Sequence, residues 1–252
     1  MNLFFAPPRR GRLSVALPLS SPLVKGTGPS LSCKLSQVLR AAAAFRVSEL
    51  MWVDDINDES KRRKVRLMID YALSPPYSKR YFPLTPDLSN AALMDPIQVP
   101  THPDRAVPVE GEVRLGVKSG NRVDFGVGKR FKKEPGLYVV TDSLRLKFRP
   151  VKDLVYLGPR VKFLKFQELI KLPGLVLGSR SCGNPLLDSD RLVEIFEREG
   201  LTLFLGPPQG GLLKESGWRG LCYNFLPEQG VKDVRTEEAL WASLSILNVI
   251  LQ

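Results

Sequence analysis

One histidine and three cysteines are all that this chain of 252 residues offers for the commonest nucleophilic and metal chemistries. His102 stands between Thr101 and Pro103 in a proline-rich stretch, which suits a surface or hinge position. A single histidine gives no support to Ser-His or multi-histidine metal sites. Cys33, Cys182 and Cys222 are odd in number and lack metal-ligand spacing. They read as buried free thiols of a reducing compartment, so the expectation is a cytoplasmic protein without a metal centre. No run of 18 apolar residues occurs, and no membrane partner is expected. Residues 1–24 carry basic side chains ahead of an apolar patch, but Pro18 and Pro22 interrupt it and it alternates as a strand, so a signal peptide is not expected. Nucleotide signatures are missing as well. Residues 111–119 nearly spell a phosphate-binding loop, but Val117 stands where the lysine belongs and no helix follows. No Gly-x-Gly-x-x-Gly follows the first strand, which counts against a dinucleotide site.

Charge is what the chain has in excess: 37 Lys and Arg against 26 Asp and Glu, a net +11. From 105 to 165 there are 15 basic and 6 acidic residues, a surplus of nine, so most of the net charge sits in one region. Concentrated positive charge favours a polyanionic partner, although a soluble, solvated face would use the same residues.

The hydrophobic pattern divides the chain. Residues 12–17 read as a first strand and Glu49–Val53 as a second. Between them, Leu35, Val38, Leu39 and Ala42 recur at helical spacing over 34–47, helped by four alanines at 41–44. Asn57 is expected to cap a helix through Leu73 with Val65, Met68, Ile69 and Ala72 facing inward. From Ser74 to Pro108 eight prolines exclude a long regular element. Within that span, residues 76–83 combine Lys79 and Arg80 with three aromatics, a mix suited to stacking on bases or to packing a loop. Between 108 and about 164 the period changes to two, with strands expected over 109–117, 122–127, 136–140 and 144–148, which predicts a small OB-like barrel. Helices are then expected over 188–199 and from Thr236, as N-cap, to about 251. The prediction is an α/β protein with a mostly parallel sheet: a loose arm over 1–11, a discontinuous domain over 12–107 and 161–252, and an inserted β module over 108–160.

Three short hydrophobic strands near the C-terminus each end in a turn, over 174–180, 201–211 and 221–230. Open α/β sheets bind ligands where such strand ends converge. The turn Gly206-Pro207-Pro208-Gln209-Gly210-Gly211 has the small or rigid residues that close backbone approach demands, as would a purely structural turn. Glu237 and Glu238 suit the positive end of the last helix, an account that leaves Asn224, Gln229 and Arg235 unexplained.

Three stretches carry a resemblance: Gln-Val-Leu-Arg-Ala-Ala-Ala-Ala-Phe-Arg-Val at 37–47; Tyr-Ala-Leu-Ser-Pro-Pro-Tyr at 71–77 with Lys-Arg-Tyr-Phe-Pro-Leu at 79–84; and Asn-Phe-Leu-Pro-Glu-Gln-Gly at 224–230 with Val-Arg-Thr-Glu-Glu-Ala at 234–239. Together they resemble the SPOUT superfamily of knotted RNA methyltransferases, in particular the archaeal and eukaryotic branch with an inserted OB-like domain. The resemblance implies a trefoil knot, a homodimer with each site near the subunit interface, and S-adenosylmethionine held by the three C-terminal loops. Carried onto this sequence, the cofactor residues would be Leu177, Gly178, Leu205, Gly206, Gly210, Gly211, Phe225, Leu226, Pro227, Gln229, Gly230, Val234, Thr236 and Glu237. The second loop departs from the family, because Pro207, Pro208 and Gln209 stand where many such enzymes place an acidic residue. Arg40, Arg180 and Arg235 are the candidate catalytic cations, with structural ion pairing as the competing reading for the first two. Lys79, Arg80, Lys118, Arg122, Lys129, Arg130, Lys132 and Lys133 are the candidate RNA contacts. Ribosomal RNA, and within it uridine N3, is the substrate suggested at family level. A non-catalytic RNA-binding or ribosome-assembly factor that retains the fold is the alternative.

Overall fold

The computed structural model describes residues 5–24, 28–152, 155–206 and 220–252. Strands β1 (Leu13–Pro18), β2 (Glu49–Val53) and β10 (Leu201–Leu205) are buried at every position. A strand covered on both faces reads as a near-continuous apolar run, and these three do apart from Ser14, Glu49 and Thr202. They form the middle of a six-stranded sheet ordered β11-β9-β10-β1-β2-β8, with β8 at Arg160–Leu164, β9 at Leu175–Gly183 and β11 at Leu221–Tyr223. Each of its five pairings is parallel. Pro18, Val53, Leu205 and Tyr223 therefore end along one edge of the sheet.

Helix α1 (Pro29–Ala44) starts five residues before the expected 34, because Pro29 is preset for a first helical position. In α2 (Glu59–Leu73), Val65, Met68, Ile69 and Ala72 face the core as the periodicity required. Its cap is Asp58, whose carboxylate accepts from the Lys61 N–H at 3.0 Å, while Asn57 takes a left-handed conformation just outside. The short α3 (Phe166–Leu169) precedes β9, and α4 (Ser189–Glu199) joins β9 to β10. Thr236 is the first residue of α5 (Thr236–Ile250) rather than its cap. The Arg235 N–H before it is satisfied by Glu238 Oε2 at 2.9 Å. Leu240, Leu244 and Leu247 of α5 are completely buried against the central core.

The other sheet is antiparallel, ordered β5-β4-β3-β6-β7: β3 at Val113–Ser119, β4 at Arg122–Asp124, β5 at Arg130–Phe131, β6 at Gly136–Asp142 and β7 at Lys147–Pro150. It has its own apolar cluster of Val123, Phe125, Tyr138, Val140 and Phe148. Phe131 on β5 and Phe148 on β7 meet at 5.2 Å between ring centroids, so the sheet curls until its two edge strands touch. The run of period two ends earlier than expected: β8 leaves this sheet and pairs with β2, Glu49 opposite Arg160 and Val53 opposite Leu164.

The cysteines correct the sequence reading. Cys182 and Cys222 are disulfide-bonded with Cα atoms 5.6 Å apart, and Cys33 is exposed rather than buried. Forty residues separate the pair in sequence, and parallel pairing of β9 with β11 brings them together. Cys222 lies opposite Leu177, but the next residue, Tyr223, lies opposite Gly183. Residues 178–182 thus bow out against a single peptide of β11, and the disulfide closes the end of the bow.

Candidate functional site

The carboxyl edge of the parallel sheet gathers several of the predicted cofactor residues. Leu177 and Gly178 on β9 stand opposite Phe204 and Leu205 on β10. A Cβ on Gly178 would lie 2.4 Å from Leu205 Cδ2 and 3.7 Å from Phe225 Cδ2, so Leu205 packs as closely as it does onto Gly178 only because that residue lacks a side chain. At Gly183, Gly206 and Gly230, by contrast, an added Cβ would meet nothing within 4 Å among the described residues. Backbone there is open to close approach by another group. Gly210 and Gly211, with Pro207, Pro208 and Gln209, lie outside the described residues.

The loop after β11 is stitched to the bow in β9. Asn224 Oδ1 accepts from the Leu226 N–H at 3.0 Å, and its amide donates to the Arg180 carbonyl at 3.2 Å. Gln229 Nε2 donates to the Val231 and Lys232 carbonyls at 2.8 and 3.1 Å. The Arg180 guanidinium also reaches Lys232 O, at 3.0 Å. Asn224 and Gln229, which helix capping left unexplained, fix the shape of this loop. Phe225 is buried, Leu226 and Val234 are half-buried, and Pro227 and Gly230 are exposed. Thr236 and Glu237 are buried in the first turn of α5, and the Glu237 carboxylate has no hydrogen-bond partner among the described residues. Arg235 is exposed beside them, whereas the Arg40 guanidinium is engaged, donating to the Pro96 carbonyl at 2.7 Å.

A carboxylate that sequence reasoning missed lies near this edge. Asp188, just before α4, accepts a hydrogen bond from the buried Tyr223 hydroxyl. Burial first, and the hydrogen bond to Asp188 next, push the Tyr223 phenol well above its ordinary pKa, so it stays a donor at neutral pH. Thirty-five residues separate the two, and no local pattern announces the pair.

The candidate nucleic-acid cations divide into two groups. Lys79 stacks over Tyr71 at 4.8 Å, and Lys133 donates to Phe148 O at 3.2 Å while lying over Tyr138, so both serve internal packing. Lys118 and Lys132 are exposed. Arg80, Arg122, Lys129 and Arg130 line one open cavity of about 570 Å³ with Asp124 and Gly128, and Lys129 also lies over the Phe131 ring at 5.9 Å. Asp124 is buried and organises the cavity: Arg80 pairs with it, the Tyr81 hydroxyl donates at 2.7 Å, and the Gly126 N–H donates at 2.8 Å. Burial by itself raises the Asp124 carboxyl, but Tyr81, the Gly126 N–H and Arg80 together outweigh it and hold the group below the ordinary range.

A carboxylate with a lowered folded-state pKa contributes its stability fully above the unfolded value of about 3.9 and loses it as pH falls through the folded value. The wild-type protein is therefore expected to lose more stability than Asp124→Asn between about pH 6 and about pH 3. Urea midpoints at the two pH values check this. Equal losses would show that Asp124 carries no such linkage.

What the fold and the two sites define is a parallel α/β protein bearing a curled and basic antiparallel sheet. The chain belongs to the family described as Putative RNA methyltransferase, whose model matches residues 12–158. The matched span includes β1 and β2 of the parallel sheet and the whole antiparallel sheet, and it ends before β8. An uncharacterized protein of Haloarcula marismortui is 27% identical over 257 residues, covering 86% of this chain and 91% of the relative. An uncharacterized protein of Halobacterium salinarum is 26% identical over 270 residues, with the same two coverages. A solved structure titled as that of a hypothetical protein has a TM-score of 0.43 and 15% identity, covering 97% of this chain and 69% of the other.

Proposed function

We propose that the protein is an S-adenosylmethionine-dependent methyltransferase acting on structured RNA, with the cofactor at the carboxyl edge formed by β9, β10 and β11. The observation that carries the reading is that no described residue fills the space beside Gly183, Gly206 and Gly230, which lie at or after the ends of the neighbouring parallel strands β9, β10 and β11, in a chain of an RNA methyltransferase family. The residues fit such a group. Glycine backbone allows close approach, Phe225 and Leu205 supply apolar surface, and the Glu237 carboxylate, without a hydrogen-bond partner among the described residues, suits a cationic ligand.

Bound there, the cofactor would supply an electrophilic sulfonium methyl. The protein's own work is then alignment of a nucleophilic base nitrogen or ribose oxygen, which by itself removes much of the barrier. Arg235, exposed at the start of α5, is free to stabilise charge developing on the nucleophile. Arg180 has half that freedom, since its guanidinium also holds Lys232 O. Arg40 is the weakest of the three candidates because Pro96 engages it. A trefoil knot, an OB-like identity for the curled sheet over 108–160, a homodimer, a ribosomal substrate and uridine N3 belong to the same proposal. No helix among the described residues is long and apolar enough to cross a membrane.

Calorimetry with S-adenosylmethionine is expected to give saturable binding, and Gly206→Val is expected to weaken it at least tenfold with an unchanged melting temperature. Folded wild-type protein that binds no cofactor but still binds RNA would instead favour a non-catalytic RNA-binding factor. Mapping methylated nucleotides in cells with and without the protein then identifies the substrate.

A further inference from the structure

The cavity at the seam between the 3-10 segment Pro76–Tyr81 and the antiparallel sheet carries an inference about how substrate is gripped. Four cationic side chains surround one carboxylate, and that carboxylate is already spent on Arg80, Tyr81 and the Gly126 N–H. Several cations elsewhere on the surface are paired, Arg62 with Glu59, Lys64 with Asp87, Lys162 with Glu49 and Arg198 with Glu194, while others such as Lys118 and Lys132 are exposed with no carboxylate partner among the described residues. Arg122, Lys129 and Arg130 have no carboxylate within ion-pair distance among the described residues. Positive charge is therefore concentrated in a concave site without internal neutralisation, and an external anion is the remaining counter-charge.

The way the cations are held separates this site from a diffuse basic surface. Arg130 stands opposite Asp124 across the β4–β5 pair, and Arg122 begins β4, so both project from paired strands. Arg80 is fixed by its ion pair with a carboxylate that cannot move, because the Gly126 N–H and Tyr81 hold it. The turn that carries Lys129 passes through Gly126 and Gly128, both at positive φ. A Cβ on Gly126 would strike the Tyr77 ring at 2.4 Å, which locks the turn against the neighbouring segment. A Cβ on Gly128 would meet nothing within 4 Å, so backbone at the rim is accessible. An arginine fork fixed by its ion pair, as Arg80 is, matches phosphate oxygens bidentately and loses little entropy on binding. The cavity is open rather than enclosed, so a continuous chain can pass through it.

We propose that this cavity is a phosphate clamp for single-stranded RNA, in which Arg122, Lys129 and Arg130 bind consecutive backbone phosphates and Asp124 positions Arg80 beside them. The clamp rests on the reading of the protein as an RNA-modifying enzyme and assigns that reading a specific grip. It reads backbone, not sequence.

The test is fluorescence anisotropy of a 12-nucleotide single-stranded RNA over a salt series, using the full chain. The double variant Arg122→Gln, Arg130→Gln is expected to bind at least tenfold more weakly. Its slope of log affinity against log salt should fall by about 1.4, from roughly 0.7 per lost phosphate contact. A charge-matched control, Arg63→Gln with Arg198→Gln, is expected to bind like wild type. All of the substituted residues are exposed or half-exposed, and thermal melts confirm folding in each case. Unchanged affinity and slope in the double variant overturn the clamp. So does competition by inorganic phosphate or a mononucleotide as strong as that by the oligomer, which marks a small-metabolite site. Calorimetry with S-adenosylmethionine on the same proteins keeps the two readings apart. Loss of RNA affinity with no cofactor binding by any form sustains the clamp and sinks methyl transfer; cofactor binding by wild type that ignores RNA does the reverse.

Discussion

Replacing Arg114 by leucine is expected to destabilise the protein by about 3–5 kcal/mol, the cost of removing one partner from a buried ion pair. Arg114 is fully buried, and its guanidinium serves four acceptors. It pairs with Glu112 at 3.0 Å and donates to the carbonyls of Phe125 and Arg105 at 2.9 Å and of Gly126 at 3.4 Å. Leucine would leave the Glu112 carboxylate and three carbonyls short of their donor, and each group pays its own desolvation cost. Lysine would not repair this, since a point charge cannot reach a fork of acceptors. Urea denaturation followed by circular dichroism checks the size of the loss; a change below about 1 kcal/mol would refute this account. RNA affinity should fall too. The Tyr77 ring lies 6.0 Å from the Arg114 guanidinium, its hydroxyl donates to Leu115 O at 2.6 Å, and Gly126 packs against its other side. This wedge joins the 3-10 segment to the antiparallel sheet, and so holds Arg80 against Asp124.

The contrast between Arg114 and Arg122 explains where the sequence was legible. Both read as basic residues on expected strands, yet one is structural and the other faces solvent. Charge counts located the basic region but could not tell the two apart, because the difference is made by acceptors in Arg105, Phe125 and Gly126 that only the fold assembles. The same holds for Lys79 and Lys133, whose alkyl stems and ammonium groups are absorbed by Tyr71 and Tyr138. Where local physics dominates, the pattern sufficed. β2 has the expected bounds, and the buried face of α2 is the predicted one, since continuous burial and a 3.6-residue period leave marks in the chain itself. β8 escaped because an edge strand alternates, Arg160 and Lys162 outward and Val161 and Phe163 against the core, just as the antiparallel strands before it do. Only its partner, β2, distinguishes it.

Reduction of the Cys182–Cys222 bond is the second large effect expected. A cross-link spanning 40 residues constrains the unfolded chain by roughly 2–4 kcal/mol, and thermal melts with and without a reductant should differ accordingly. Cys182→Ser is expected to reproduce the reduced melting temperature and to abolish the effect of reductant; Cys33→Ser should do neither. The bond closes the bow at 178–182 that carries Gly178 and Arg180, so its loss is felt at the candidate cofactor edge as well as in global stability. The hydrogen bonds that Asn224 and Arg180 make across the bow would then have to order a segment the disulfide no longer confines. Affinity for S-adenosylmethionine is therefore expected to fall several-fold in reductant, and a titration under both conditions measures it. Equal affinity with a lowered melting temperature would make the bond purely a staple. A fall in both would tie cofactor binding to the bow, because it is the only excursion in β9 and the strand on either side of it stays paired with β11.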